Sequence, residues 1–142
     1  MYIVECARKW LGTRFHYTGR IKINNFNKGG VDCIGLIMKV GEEIGANYNG
    51  KNIINYDYLT YSRYPNIGEM KRFLDKYFIK INKEELKIGD LIYFNFDNNL
   101  EHIAIFSDKG IIHCYTEASC VAENSLSDFW YSKIKCYYRY KL

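Results

Sequence analysis

The stretch Gly29-Gly30-Val31-Asp32-Cys33-Ile34-Gly35-Leu36 joins a glycine-rich loop to the start of a predicted helix. Apolar residues then recur at steps of three and four positions until Gly45, a pattern typical of an amphipathic helix with a glycine C-cap. A thiol at a helix N-terminus lies beside unpaired N–H groups and the positive end of the helix dipole, and both favour the thiolate. Cys33 is therefore a candidate nucleophile, although a free cysteine is more often a small buried apolar residue.

The chain around this stretch divides into a helical half at about residues 1–86 and a strand-rich half at about residues 87–142. Apolar spacing predicts a helix over residues 2–11 and another over residues 67–78, with Asn66 as its N-cap. Short segments rich in isoleucine, phenylalanine and tyrosine follow, separated by turn signals, at residues 91–96, 102–107, 110–115 and 134–140. Helices followed by an antiparallel meander predict an α+β fold in which the N-terminal helices pack on the sheet.

The composition fits one domain, residues 1–142, and excludes several classes of protein. With 48% hydrophobic residues the chain can bury a core, and its net charge of +4 lacks the clustered basic excess of a nucleic-acid binder. No apolar run approaches the roughly 20 residues of a membrane span. Glu5 interrupts the N-terminal segment where a signal peptide would be apolar, so we expect synthesis in the cytoplasm without a signal peptide.

The five cysteines are odd in number and form no Cys-x-x-Cys pair. This excludes a complete disulfide framework and favours reduced thiols. Structural zinc sites usually contain a short-spaced pair of ligands, which the sequence lacks, so we expect no metal and no other cofactor. The question is therefore which thiol reacts and which base assists it.

Three histidines, His16, His102 and His113, are available as a base for a cysteine nucleophile. If Asp108-Lys109 is a two-residue hairpin loop, His102 and His113 lie on one sheet face as diagonal neighbours. A three-residue loop would place them on opposite faces, and either histidine alone is more often a satisfied, half-buried residue. In the two-residue case, we expect His102 to accept the proton of Cys33 and His113 to orient the imidazole of His102.

Several segments, in order along nearly the whole chain, carry a family resemblance: WLGTRF at residues 10–15, VDC at 31–33, LKIGDLIYF at 86–94, the strand that begins at His102, and IIHC at 111–114. They resemble the N-terminal signature, the nucleophile motif, the segment leading into the core strand, and the base and orienter strands of the NlpC/P60 family. This is a family of cell-wall cysteine peptidases with a papain-like fold. Gly19-Arg20 and the tyrosine-rich middle of the chain are most similar to the short branch encoded with phage tails and gene-transfer agents.

The resemblance implies hydrolysis of an amide in peptidoglycan stem peptides, typically between D-glutamate and the following diamino acid, through a thioester acyl-enzyme. The family tyrosine thought to help the oxyanion hole corresponds to Phe15 in this chain, and Tyr17 is the nearest substitute. The family also suggests that Asp32 contacts a substrate amine. The residues alone equally favour Asp32 as the cap of the helix that begins at Cys33.

Two alternatives stay open at this point. The same Cys-His-His group could act as an amidase or acyltransferase on another substrate, or the chain could be an inactive structural or wall-binding tail protein. The resemblance implies a peptidoglycan peptide as substrate and phage-tail or gene-transfer-agent proteins as partners. It would place the protein in a phage-like virion or tail that acts at the cell wall, with neither a nucleic-acid partner nor a membrane span.

Overall fold

The computed structural model describes residues 2–63 and 68–142. Its helices are α1 (Tyr2–Arg8), α2 (Cys33–Ile44), α3 (Glu69–Tyr77) and α4 (Asp128–Ser132). Its strands are β1 (Arg20–Ile21), β2 (Gly30–Val31), β3 (Asn47–Tyr48), β4 (Lys51–Asn52), β5 (Ile79–Ile81), β6 (Leu91–Asn95), β7 (Glu101–Ser107), β8 (Gly110–Tyr115), β9 (Cys120–Asn124) and β10 (Ile134–Arg139). Short 3-10 helices span Ile53–Tyr56, Lys83–Glu85 and Thr116–Ala118.

A six-stranded antiparallel sheet forms the centre of the fold, in the order β5-β10-β6-β7-β8-β9. The consecutive strands β6 to β9 form the predicted meander, and β10 returns to pair with both β6 and β5. β1 with β2, and β3 with β4, form two small ladders outside this sheet. The helices and the antiparallel sheet confirm the predicted α+β fold.

The boundary between the helical and strand-rich halves is less sharp than the sequence predicts. β5 lies inside the half that was expected to be helical, and β9 lies where we predicted no strand. In β9 only Val121 is fully buried, so the strand lacks the alternating apolar pattern that identifies one. α1 ends at Arg8 rather than at residue 11, and α3 begins at Glu69, while its predicted N-cap Asn66 lies outside the described residues.

Both ends of α2 are capped by the residues that the sequence predicts. Asp32 Oδ1 accepts a hydrogen bond from the Gly35 N–H at 2.8 Å, and Gly45 ends the helix in the left-handed conformation with φ of 77°. A left-handed residue is far less strained when it is glycine, which is why the helix stops there. Cys33 is therefore held as the first residue of a helix with a defined start.

The sheet buries side chains on both faces. The larger cluster joins α1, α2 and α3 to one face, and a smaller cluster, to which Trp130 of α4 contributes, covers the other. His102 lies opposite Phe94 in the ladder between β6 and β7, which places it with the smaller cluster. In the two described ranges, no helix has the length and apolar character needed to cross a membrane.

Candidate active site

Cys33 lies half-buried in a pocket of about 100 Å³ that His102 also lines. The carboxylate and the carbonyl oxygen of Asp32 accept hydrogen bonds from the amides of Gly35 and Leu36. The amides of Cys33 and Ile34, as the first two of the helix, have no acceptor within it. These two N–H groups are therefore the candidate donors to an oxyanion that forms beside the Cys33 sulfur.

Burial and the helix start act on the pKa of the Cys33 thiol in opposite directions. Burial raises the pKa of Cys33, and the neighbouring carboxylate of Asp32 raises it further. Backbone N–H groups of Ile34 and Ile103 lower the pKa but do not outweigh burial. Burial thus favours the neutral thiol in the unliganded chain, in the opposite direction to the helix N-terminus, and the expected thiolate stays a prediction. A neutral thiol becomes a nucleophile only when a neighbouring base accepts its proton.

Strands β7 and β8 bring the two histidines together in the predicted register, with Ser107 paired to Gly110 across a two-residue loop. His102 Nε2 lies 2.8 Å from His113 Nδ1, and His113 Nε2 lies 2.8 Å from Asn124 Oδ1. Because an amide oxygen only accepts, His113 carries its proton on Nε2 and accepts the His102 Nε2–H with Nδ1. The chain of hydrogen bonds leaves a lone pair on His102 Nδ1, the tautomer that a general base requires.

Both imidazoles are neutral at neutral pH. Burial lowers the pKa of His102, and the proximity of His113 lowers it further. Burial also lowers the pKa of His113, although its hydrogen bond to Asn124 acts in the opposite direction. His102 and Cys33 line the same pocket, and in the described parts of the chain no hydrogen bond joins them. Such contacts are often long in unliganded sites and shorten when substrate binds.

Aromatic rings enclose the imidazole of His102. Its ring centroid lies 5.6 Å from Trp130, 5.7 Å from Tyr115, 5.9 Å from Phe94 and 6.4 Å from Phe96. The rings remove water from the imidazole, which is the cause of its lowered pKa, and they restrict its orientation. On this side the imidazole is held by packing and by its hydrogen bond to His113.

The carboxylate of Asp32 is fully occupied within the chain. Oδ1 accepts from the Gly35 N–H and from Arg20 Nη1 at 3.1 Å, and Oδ2 accepts from the Thr18 N–H at 2.9 Å and from the hydroxyl of Tyr61. Four donors fill the lone-pair positions of a carboxylate. The interpretation of Asp32 as a helix cap is confirmed. Its contact with a substrate amine stays a prediction, and that contact would have to displace one of these donors.

The structure does not bring Tyr17 together with Cys33 and His102. Its hydroxyl donates to the backbone carbonyl oxygen of Tyr61, and Tyr17 is absent from the described residues that line the pocket. Phe15 and Tyr61 line the pocket instead. A role for Tyr17 in the oxyanion hole stays a prediction, and a hydroxyl already donated to a carbonyl does not favour it.

Two side chains at the site, Asn124 and Arg20, have roles in the structure that the sequence did not predict. Asn124 reaches His113 only because β9 pairs with β8, and nothing in the local sequence marks that pairing. Arg20 bridges Asp32 to Asp57, with Nε 2.8 Å from Asp57 Oδ2, and both carboxylates are largely buried. Within the described ranges, no group of three or more His, Cys, Asp or Glu side chains is placed to hold a metal ion.

The fold brings the thiol at the start of α2 into one pocket with His102, which is hydrogen-bonded to His113 on the antiparallel sheet. The model of the NlpC/P60 family matches residues 12–139, and the chain belongs to that family. The resemblance of the sequence motifs to the NlpC/P60 family is therefore confirmed, while the phage-tail branch stays a prediction. No curated protein sequence matches the chain at a significant level.

Solved structures show the same fold at low sequence identity. An NlpC/P60 family protein from Bacillus cereus has 21% identity and a TM-score of 0.67, covering 99% of this chain and 39% of that one. The NlpC/P60 domain of the peptidoglycan hydrolase SagA has 20% identity and a TM-score of 0.62, covering 96% and 95%. RipD from Mycobacterium tuberculosis, a non-catalytic NlpC/P60 domain protein adapted to peptidoglycan binding, has 17% identity and a TM-score of 0.58, covering 99% and 95%. This chain thus spans about two fifths of the Bacillus cereus protein but nearly the whole length of the other two.

Proposed function

We propose that this chain is a cysteine peptidase of peptidoglycan stem peptides, which cleaves the amide between D-glutamate and the following diamino acid. One observation carries the proposal: Cys33 shares a pocket with His102, whose tautomer is set for proton acceptance by His113 and Asn124. A merely structural pocket would not need a hydrogen-bond chain that leaves a lone pair on His102 Nδ1. Membership of the NlpC/P60 family and the fold shared with the hydrolase SagA support the substrate class.

Acylation begins when Cys33 Sγ attacks the carbonyl carbon while its proton moves to His102 Nδ1. The transfer turns two neutral groups into an oxyanion and an imidazolium, and the backbone N–H groups of Cys33 and Ile34 stabilise the oxyanion. His113 stabilises the imidazolium by accepting the His102 Nε2–H. When the tetrahedral intermediate collapses, the C–N bond breaks and His102 gives its proton to the departing amine. The acyl group remains on sulfur as a thioester.

Deacylation repeats these steps with water as the nucleophile. His102 Nδ1 takes a proton from the water as its oxygen attacks the thioester carbonyl, and the C–S bond then breaks. The proton returns from His102 to the sulfur, which restores the neutral thiol that burial favours. The products are a free carboxylate on one peptide and a free amine on the other.

The proposal is tested by digestion of purified muropeptides with the wild-type chain and with Cys33→Ala. The masses of the wild-type products should show that the amide between D-glutamate and the diamino acid has been hydrolysed. Cys33→Ala should yield no such products. Cys120→Ala is the matched control, because Cys120 is also a half-buried thiol but does not line the pocket. It should retain full activity.

Activity that survives in a folded Cys33→Ala variant would refute the proposal. Cleavage of a different bond would favour the amidase or acyltransferase alternative. Tight binding of muropeptides that stay intact in the wild type would favour a wall-binding module, the property described for RipD.

We further propose that the protein works as part of a phage-like tail or virion, delivered to the wall after synthesis in the cytoplasm. The support is the similarity of Gly19-Arg20 and the tyrosine-rich middle to the phage-tail branch of the family. Mass spectrometry of purified particles from a producing strain tests this, and particles without the chain would contradict it.

A further inference from the structure

A second depression continues the catalytic pocket on the side of His102. It lies between the turn at residues 96–100 and the side chains of Phe129 and Lys133, and Tyr115 and Thr116 also line it. We call it the distal groove. Its volume of about 460 Å³ lies within the roughly 300–1,000 Å³ typical of small-molecule sites. Phe96, Leu100, Tyr115 and Thr116 line both the groove and the catalytic pocket, so a bound molecule can extend from one into the other.

The direction of proton transfer decides which part of a substrate enters the distal groove. His102 protonates the departing amine, so the leaving group must lie on the His102 side of the Cys33 sulfur. The groove walls Phe96 and Tyr115 are in ring contact with His102. Asp32, Tyr61 and Arg63 line the catalytic pocket but not the groove. The leaving group therefore extends into the distal groove.

The groove combines apolar walls with an ion pair between Lys133 and Asp97. Phe96 and Phe129 stack at 17° with centroids 6.2 Å apart, which suits the methylene chain of a long side chain. Lys133 Nζ lies 5.9 Å from the Phe129 ring centroid and 3.0 Å from Asp97 Oδ1. The Lys133 side chain is 19% exposed while that of Asp97 is 95% exposed. Asp97 can thus turn into water, whereas Lys133 is confined to the groove and would attract a carboxylate from a ligand.

We propose that the distal groove binds the leaving diamino acid through a carboxylate at the end of its side chain, which Lys133 recognises. This inference rests on the proposed function and adds the identity of the leaving residue. Diaminopimelate and lysine are suitable leaving residues to compare, because they differ only by a carboxylate at the end of the side chain. The protein should therefore prefer stem peptides that contain diaminopimelate over those that contain lysine.

The test compares L-alanyl-γ-D-glutamyl-meso-diaminopimelate with L-alanyl-γ-D-glutamyl-L-lysine as substrates. The wild type should cleave the first with kcat/KM about tenfold higher, the effect of one charge-assisted hydrogen bond in a partly exposed site. Lys133→Met keeps the apolar stem and removes the cation, so it should abolish the preference by lowering kcat/KM for the diaminopimelate peptide alone. Lys135→Met is the control, because Lys135 is an exposed residue of β10, two positions after Lys133, that does not line the groove; it should change the cleavage of neither substrate.

Asp97→Asn gives a prediction of opposite sign. Without the competing carboxylate, Lys133 is free for the substrate, and the preference for diaminopimelate should increase. If Asp97→Asn instead weakens cleavage of the lysine peptide while Lys133→Met improves it, the groove binds an ammonium group and the proposal is wrong. Equal kcat/KM for both peptides in the wild type would also overturn it.

A binding measurement separates failure of this inference from failure of the proposed function. Backbone amide NMR shifts of the wild type are followed during titration with free meso-diaminopimelate and, separately, with L-lysine. Shifts at residues 96–100 and 133 with diaminopimelate alone, in a chain that cleaves neither peptide, would uphold the groove and refute the hydrolase. Cleavage of both peptides without preference and without such shifts would refute the groove and leave the hydrolase intact.

Discussion

The two sides of the catalytic pocket are held by different forces. On the Cys33 side, the carboxylate of Asp32 accepts four hydrogen bonds, and one of its donors, Arg20, also pairs with Asp57. On the His102 side, aromatic rings and the hydrogen bond to His113 hold the imidazole. Charge-assisted hydrogen bonds fix direction as well as distance, whereas ring packing mainly excludes water.

This difference matches what the proposed mechanism requires of each group. The sulfur has to approach a carbonyl carbon from a defined direction. The start of α2, which carries the sulfur, is held by several hydrogen bonds to Asp32, and all of them would have to break before it could move. The imidazole has to donate a proton to the departing amine and then accept a proton from water. A base held mainly by packing can make that small adjustment, while its dry surroundings keep it neutral.

The largest effect on kcat/KM should come from a substitution of His102, on the side of the pocket held by aromatic packing. His102→Gln keeps a polar group of similar length but cannot accept and return a proton, so kcat/KM should fall by about 10³-fold. The measurement is steady-state hydrolysis of a stem tripeptide, with circular dichroism to confirm the fold. His16→Gln is the control, since His16 is outside the pocket lining, and it should leave kcat/KM unchanged. A decrease of less than tenfold in His102→Gln would mean that another group is the base.

The next largest effect should come from a substitution of Arg20, on the side of the pocket held by hydrogen bonds to Asp32. Arg20→Met leaves Asp32 and Asp57 as largely buried carboxylates without a counter-charge, which should lower the free energy of unfolding by about 3 kcal/mol. Because the cap of α2 loses one donor and its counter-charge, kcat should fall as well. Urea denaturation and steady-state kinetics measure the two effects.

Arg139→Met is the matched control for Arg20→Met. Arg139 pairs with the buried Asp90 at 2.8 Å, and neither residue lines the pocket. The control should lose stability but keep kcat under conditions where it is folded. If both variants keep kcat, the charged network around Asp32 stabilises the fold without positioning the nucleophile.

A change at Asn124 should have the smallest effect and tests the hydrogen-bond chain itself. Asn124→Asp places a negative charge beside His113, which favours the imidazolium form and raises the pKa of the coupled histidines. Since the base must be neutral to act, the acidic limb of the kcat/KM profile should move to higher pH, by about half a unit because Asn124 is exposed.

The wild-type profile provides the reference for that shift. Burial lowers the pKa of His102 below its usual value of 6.5, so the acidic limb of the wild type should lie below pH 6.5. Asn124→Leu removes the acceptor without adding charge and should not move the limb upward. An upward shift in both variants would show that the charge is not its cause.

Local sequence was sufficient for the elements that carry the nucleophile and the base. The start of α2 follows from the Asp32 cap and apolar spacing, which act over a few residues. The pairing of His102 with His113 follows from the two-residue loop, because strand residues alternate between faces and a loop of fixed length sets the register. Both features depend on neighbours in the chain, and both were predicted correctly.

Contacts between distant parts of the chain decided the rest. Asn124 reaches His113 through an edge strand without an apolar pattern, and Tyr61 returns from a loop to occupy Asp32. The pKa of Cys33 depends on how much water the assembled pocket excludes, and this burial acts against the helix start that the local sequence shows. Burial and long-range pairing exist only after the chain has folded. The sequence pattern therefore determined where Cys33 and His102 lie in their elements, whereas tertiary packing determined their pKa values and hydrogen-bond partners.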